Sequence, residues 1–220
     1  MWDNPMTKVL LIGIWESFYM TILSTIFAYI FGTPLGIILV MSGKDGIRPQ
    51  PVLFKILDII VNITRSIPFL ILMISVTPLT RLIMGTQLGS KATIVPLVLA
   101  ATPFVARMVE SSLLEIDRGI IEAAHSMGAS NFEIIFKVML PEAVPSLING
   151  ATIAVTTILG YSASAGVMGG GGLGTIAINY GYNRNQGDIM LITIILLIIL
   201  VQIFQEIGMR IAGVSDKRKS

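Results

Sequence analysis

Residues 121–143 read IEAAHSMGASNFEIIFKVMLPEA. Ile120, Ile121, Ala124 and Met127 recur at helical spacing, which predicts a short amphipathic helix over 118–127. Gly128 follows as its C-terminal cap, a position that needs a left-handed backbone and suits glycine. Ser130-Asn131-Phe132-Glu133 has the pattern of a capping box and opens a second helix. Phe132, Ile135, Phe136 and Met139 give that helix an apolar face, and Pro141 ends it. The pair is too polar to enter lipid and too apolar to stand free in water. Two covers are open for it: a groove on a partner protein, or the membrane surface. A surface-lying helix carries more Lys and Arg on its polar face. Glu122, His125 and Glu133 tilt the balance towards a protein, and Ala123 and Ala124 suit its close approach.

The rest of the chain explains why such a segment needs a special place. Hydrophobic residues make up 54 % of the 220, charged residues 13 %, and the mean hydropathy is +0.83. A water-soluble domain carries roughly 25 % charged residues, so the solvent of this chain is lipid. A net charge of +2 with scattered basic residues excludes nucleic acid as a partner. The absence of cysteine removes disulfides, thiolate metal sites and a cysteine nucleophile, and a single histidine, His125, argues against a histidine-based metal site or a Ser-His-Asp triad. Asp3 and Glu16 stand where a signal peptide is positive, so the first apolar segment is expected to be retained.

A window of about 19 residues finds five spans: 17–41, 56–76, 92–109, 143–168 and 189–207. The first, at 25 residues, exceeds the roughly 30 Å hydrocarbon core and crosses with some tilt. The polar stretch 110–142 lies between the third and fourth. With the N-terminus outside, the inner loops hold Lys44, Arg48, Lys55, Arg107, Arg118, Lys137, Arg210, Lys217, Arg218 and Lys219, against Lys8, Arg81, Lys91 and Arg184 outside. That bias orients the chain N-out and C-in. The expected fold class is an all-α integral membrane protein, one domain over 1–220, with five transmembrane helices and two short cytoplasmic helices.

Residues 122–141 resemble the cytoplasmic EAA loop of the ABC-importer permeases, whose pattern is Glu-Ala-Ala, three residues, Gly, nine residues, Ile, one residue, Leu-Pro. Here Glu122-Ala123-Ala124 is followed by three residues and Gly128, then by nine more to Val138, Met139, Leu140 and Pro141. Only Val138 departs. The stretches NITRSIPFLILM (62–73), TPLTRLIMGTQLG (77–89), AATPFVARMVESSLLEI (100–116) and GYSASAGVMGGGGLGTIA (160–177) are similar to the methionine-importer permeases of this class across nearly the whole chain.

The resemblance implies a type I importer permease fold in the bacterial cytoplasmic (inner) membrane. It implies a homodimer and two ATP-binding ABC subunits that carry ATP and Mg. An extracytoplasmic methionine-binding (lipo)protein would deliver a small amino-acid substrate. The site residues it implies are Glu122, Ala123, Ala124, Gly128, Leu140 and Pro141, as the coupling contact to the ATPase. The chain has no GxxxxGK[ST], so ATP binds elsewhere. No catalytic residue and no metal site are expected on it. Three alternatives stand beside this: a permease for another polar amino acid, an osmolyte or a phosphonate; an intramembrane enzyme, which the single embedded acid Asp58 argues against; and a non-transporting membrane scaffold.

Asp58, Asn62 and Arg65 fall on one face of the second span. A charge at mid-bilayer costs about 2.5–3.5 kcal/mol on insertion scales, so this face meets protein or water. Asn62, Arg65 and Ser66 line a pathway on one reading; Arg65 pairs with Asp58 or with backbone carbonyls on the other. Tyr161 and Ser162 line the pathway or pack between helices. Arg107 and Glu110, three apart, form a local ion pair. Glu122 either favours its helix start electrostatically or pairs with a base on the partner. Gly169-x-Gly171-x-x-Gly174 has dinucleotide-loop spacing, but it follows a lipid-crossing helix and lacks the βαβ context. It reads as a hinge or gate at the outer mouth, or as a static packing loop.

Overall fold

The computed structural model describes residues 5–215, and all regular structure among them is helical. Asp3 and the basic residues Lys217, Arg218 and Lys219 lie outside the described residues. Four helical stretches are long and apolar enough to cross a membrane, and a bent pair makes a fifth.

Helix α1 (Pro5–Ser42) has 38 residues and starts twelve before the expected first span. At about 1.5 Å per residue it is about 57 Å long. The apolar window stops at Glu16, but the helix does not, because other elements satisfy that carboxylate. Along its second half α1 lies against α5 (Ser90–Leu114). Gly32 and Gly36 make the approach possible. A methyl group on Gly36 would sit 2.6 Å from the Ala106 carbonyl, and one on Gly32 would sit 2.9 Å from that of Thr102. This is the small-residue packing that replaces hydrophobic drive between helices in lipid. Met20, Ala28, Leu97, Ala101, Val105 and Val109 fill the resulting core. Helix α5 runs through Pro96 and Pro103 and on past the expected end, because Arg107 and Glu110 neutralise each other.

The expected second span is not straight. It breaks into α2 (Pro51–Ser66) and α3 (Phe69–Ser75), bent by 103°. Pro68 supplies no N–H, and it pushes Ile67 to an extended backbone, φ −78°, ψ 124°. Helix α4 (Thr77–Met84) follows and ends at Gly85 with φ +73°.

Beyond α5 come α6 (Arg118–Ser126), α7 (Asn131–Glu133), a π-helical turn Ile134–Met139, and α8 (Leu140–Glu142). Then α9 (Val144–Ala165) returns along α5. The chain reverses at Gly169–171. It folds back as α10 (Gly172–Ile176), which packs on α1 and α9, and continues as the π-helical segment Ala177–Tyr182, which packs on the last helix. Such a returning segment is absent from the expected plan, which ended the fourth span at 168. Helix α11 (Gly187–Ser215) closes the bundle along α9. Most of its isoleucines, including Ile195, Ile198 and Ile203, are exposed, as a lipid-facing helix requires.

Candidate functional site

Helix α6 begins where Asp117 accepts from the Gly119 amide at 2.7 Å. The N-cap is therefore Asp117, and Glu122, a turn and more further on, has no capping role. Gly128 has φ +84°. Its amide donates to the His125 carbonyl at 3.0 Å and that of Ala129 to Ala124 at 3.1 Å, which closes the helix in a Schellman-like turn. A methyl on Gly128 would touch nothing within 4 Å. Glycine is needed there for its backbone, not for space. The capping box is complete. The Glu133 amide donates to Ser130 Oγ at 3.3 Å, and the Ser130 amide donates to Glu133 Oε2 at 3.1 Å. Lys137 adds a bond to Glu133 Oε1 at 2.9 Å. Lys137 first, and then Ser130, hold the Glu133 carboxyl far below the ordinary carboxylate range, at about 2.

Three details differ from the expected coupling segment. Ala124 is buried within the chain, so of the two alanines only Ala123 is open to a partner. The expected apolar face of Phe132, Ile135, Phe136 and Met139 divides, because the π-turn changes the register. Ile134, Ile135 and Met139 turn inwards, while Phe132 and Phe136 stack at 4.3 Å on the outside. Pro141 does not stop the helix. It sits in the first turn of α8, where a missing N–H costs nothing, and the direction changes at Ala143. Met127, 82 % exposed, and Phe132, 67 % exposed, leave a large apolar surface beside Glu122.

The charged face of α2 is arranged differently from its expected pairing. Arg107 of α5 pairs with Asp58, accepts no help from Arg65, and also donates to Asn62 Oδ1 at 2.9 Å. The expected bond to Glu110 is present at 2.6 Å. Arg65 stands two helical turns from Asp58, beyond the three- and four-residue spacings at which helix side chains meet. Its guanidinium lies 5.9 Å from the centre of the Phe104 ring instead. Ser66 donates to the Asn62 carbonyl and Ser162 to that of Leu159, each at 2.8 Å. Tyr161 stacks on Phe69 at 4.8 Å, nearly parallel. Arg65 and Tyr161 thus share one pocket of about 200 Å³ with Thr64, Phe69 and Phe104, whereas Asn62, Ser66 and Ser162 bond along or between helices.

The glycine run is a knot between three elements. Gly169, Gly171 and Gly172 all have positive φ. Glu16 accepts from the Gly172 amide at 2.7 Å and from the Ser90 hydroxyl at 3.0 Å. Ser17 Oγ accepts from the Leu173 amide at 2.9 Å. The Gly89 amide donates to the Gly169 carbonyl, and Thr93 Oγ donates to that of Gly170, both at 2.9 Å. Gly174 leaves no room for a methyl against the Ala163 backbone. Each glycine of the GxGxxG spacing therefore has a packing or dihedral reason. The sequence shows Glu16 only as an acid before the first apolar run, not as the anchor of the glycine run, and it does not single out Asp117 as the cap. A hydrophobicity window discards Glu16, and Asp117 precedes the motif that drew attention.

Residues 32–212 match the model of the family described as binding-protein-dependent transport system inner membrane component. The chain belongs to that family. The "Probable D-methionine transport system permease protein MetI" of Vibrio cholerae serotype O1 is 47 % identical over 207 residues, covering 94 % of this chain and 92 % of the relative. The D-methionine transport system permease of Escherichia coli K12 is 47 % identical over 164 residues, 74 % of this chain and 76 % of that one. Among solved structures, a chain of the inward-facing MetNI methionine ABC transporter superposes with a TM-score of 0.96 at 45 % identity, over 98 % of this chain and all of that one. An amino acid ABC transporter with histidines shares the fold, TM-score 0.77 at 16 % identity over 94 % of each chain. The family match takes in the two-helix segment 118–142, the Arg107–Asp58 pair and the glycine run of this permease, while Glu16 precedes it.

Proposed function

We propose that this permease is the membrane-spanning subunit of an ATP-driven methionine importer. The observation that carries the proposal is the capped two-helix segment. Asp117, Gly128 and the Ser130–Glu133 box hold it in one shape beside an exposed apolar surface, as a lever worked by another protein requires. The likeness to D-methionine permeases, 47 % identity over 94 % and 74 % of the chain, supports methionine as the cargo. Two copies form the path, N-terminus outside, and each receives an ATP-binding subunit against Glu122, Ala123, Met127 and the turn at Gly128. Leu140 and Pro141 carry the motion into α9. A binding protein delivers methionine to the outer end, where Gly169–171 lies. ATP and Mg act on the partner subunit.

A methionine auxotroph lacking its own importer tests this. Co-expression of the permease with its ATPase and binding protein restores growth on limiting methionine and uptake of labelled methionine. Growth restored only by another solute would reassign the cargo within the same family. An ATPase that fails to co-purify with the permease would remove the coupling role.

A further inference from the structure

We infer that the pocket between Arg65, Phe104 and Tyr161 is a transit site for the amino acid, with Arg65 taking its carboxylate and the aromatic rings its side chain. The inference rests on the importer reading above and adds to it the place and orientation of the cargo.

The site lies at the break in the second span. Helix α2 stops at Ser66, and α3 leaves at 103°. Helices broken inside a membrane put polar backbone at depth, and transporters place substrate there. The opposite wall comes from Ala100 and Phe104, near the middle of the 25-residue α5, and from Tyr161 of α9. The pocket therefore lies level with the middle of α5, on an open face of this chain where Arg65 is exposed and Phe104 and Tyr161 are half-buried.

Its chemistry is that of a zwitterion with an apolar tail. Among the described residues Arg65 has no carboxylate within ion-pair distance, because Arg107 occupies both Asp58 and Glu110. A cation at this depth needs an anion or water, and a guanidinium fits a carboxylate in two parallel bonds. Arg65 is the last basic residue of α2, so the carbonyl end of that helix, its negative pole, stands beside it. That pole suits the ammonium group. Phe69 and Tyr161, stacked at 4.8 Å, and Phe104 supply ring faces and edges to the side chain. Thioethers make favourable contacts with such rings. About 200 Å³ is room enough for one small amino acid.

The experiment uses the permease with its ATPase and binding protein in proteoliposomes. A diazirine analogue of methionine is photolysed during ATP turnover, and labelled peptides are mapped. Label on the peptides carrying Phe104 or Tyr161, competed by excess methionine, is expected. Arg65→Gln is expected to lower both this label and ATP-driven uptake by roughly tenfold or more, the worth of one charge-assisted bond. The chain has no cysteine, which allows a second arm. Uptake by Arg65→Cys recovers with a cationic aminoethyl thiol reagent and not with a neutral methyl one. Should Arg65→Gln fail to assemble, the label on the wild-type complex decides alone. Wild-type uptake in Arg65→Gln, or label confined to other helices, overturns the transit site and leaves the importer intact. A wild-type complex that moves no amino acid at all overturns both.

Discussion

The Arg107 guanidinium joins α5 to α2 by pairing with Asp58, forty-nine residues earlier, while it also holds Glu110 of its own helix. One cation between two acids ties α5 to the first limb of the broken span. Arg107→Ala leaves both carboxylates unpaired. Fully buried pairs lose about 3–5 kcal/mol when one partner is removed. Asp58 keeps 31 % side-chain exposure, so the expected loss is smaller, on the order of 2 kcal/mol. Thermal unfolding of the detergent-solubilised complex checks this, and Arg65→Ala serves as the contrast. Arg65 has no acid partner among the described residues, so its loss shifts the midpoint less. Equal shifts would mean that Arg107 does not hold the two helices together.

Glu16 fixes the glycine run to α1 and α5. A carboxylate bonded to an amide and a hydroxyl contributes about 1.5–3 kcal/mol per charge-assisted bond. In Glu16→Ala the Gly172 amide is expected to exchange with deuterium at least tenfold faster, because local opening becomes easier. Glu16→Gln keeps one acceptor and falls between. With Glu16 in place, 169–174 is expected to move as one body with the start of α5, as a joint that is carried rather than a hinge that bends. Fast wild-type exchange at Gly172 would contradict that.

Glu133 gives a signed pH dependence. Its folded pKa of about 2 lies below the ordinary 4.5. The capping contribution is therefore complete above about 4.5 and is lost as the pH falls from there towards 2. Carboxyl titration by isotope-edited infrared, with Glu133→Gln to assign the band, checks it. An ordinary midpoint near 4.5 would mean that Lys137 and Ser130 do not hold the carboxylate.

Residues whose partners are close in sequence were legible before any coordinates. Gly128 and the Ser130–Glu133 box act over three or four residues, and Arg107 meets Glu110 over three. The apolar spans follow from composition, because lipid admits only helices here. What could not be read depends on distant partners. Nothing near Glu16 shows that it will meet Gly172, 156 residues on, and so the first helix was cut short. Asp58 was matched to the nearest cation on its own helix rather than to Arg107. The π-turn at Ile134–Met139 slides the register by one residue and sends Phe132 and Phe136 outwards, an effect that a 3.6-residue periodicity conceals. For the expected pathway residues, side-chain type alone groups Ser66 and Ser162 with Arg65 and Tyr161, although both hydroxyls bond to their own helices.

The central claim is that the capped segment transmits ATPase closure to the spans because Gly128 sets its angle. Moving a gate from about 1:99 to 99:1 takes roughly 5.5 kcal/mol of differential binding, which a loose joint would dissipate. At φ +84° asparagine is tolerated and valine is not. The open space around Gly128 means that size plays no part. The decisive measurement is the number of methionines imported per ATP hydrolysed by wild type, Gly128→Asn and Gly128→Val in proteoliposomes. The account predicts a ratio close to wild type for Asn and a ratio at least tenfold lower for Val, with ATP still consumed. An unchanged ratio in Gly128→Val would contradict it.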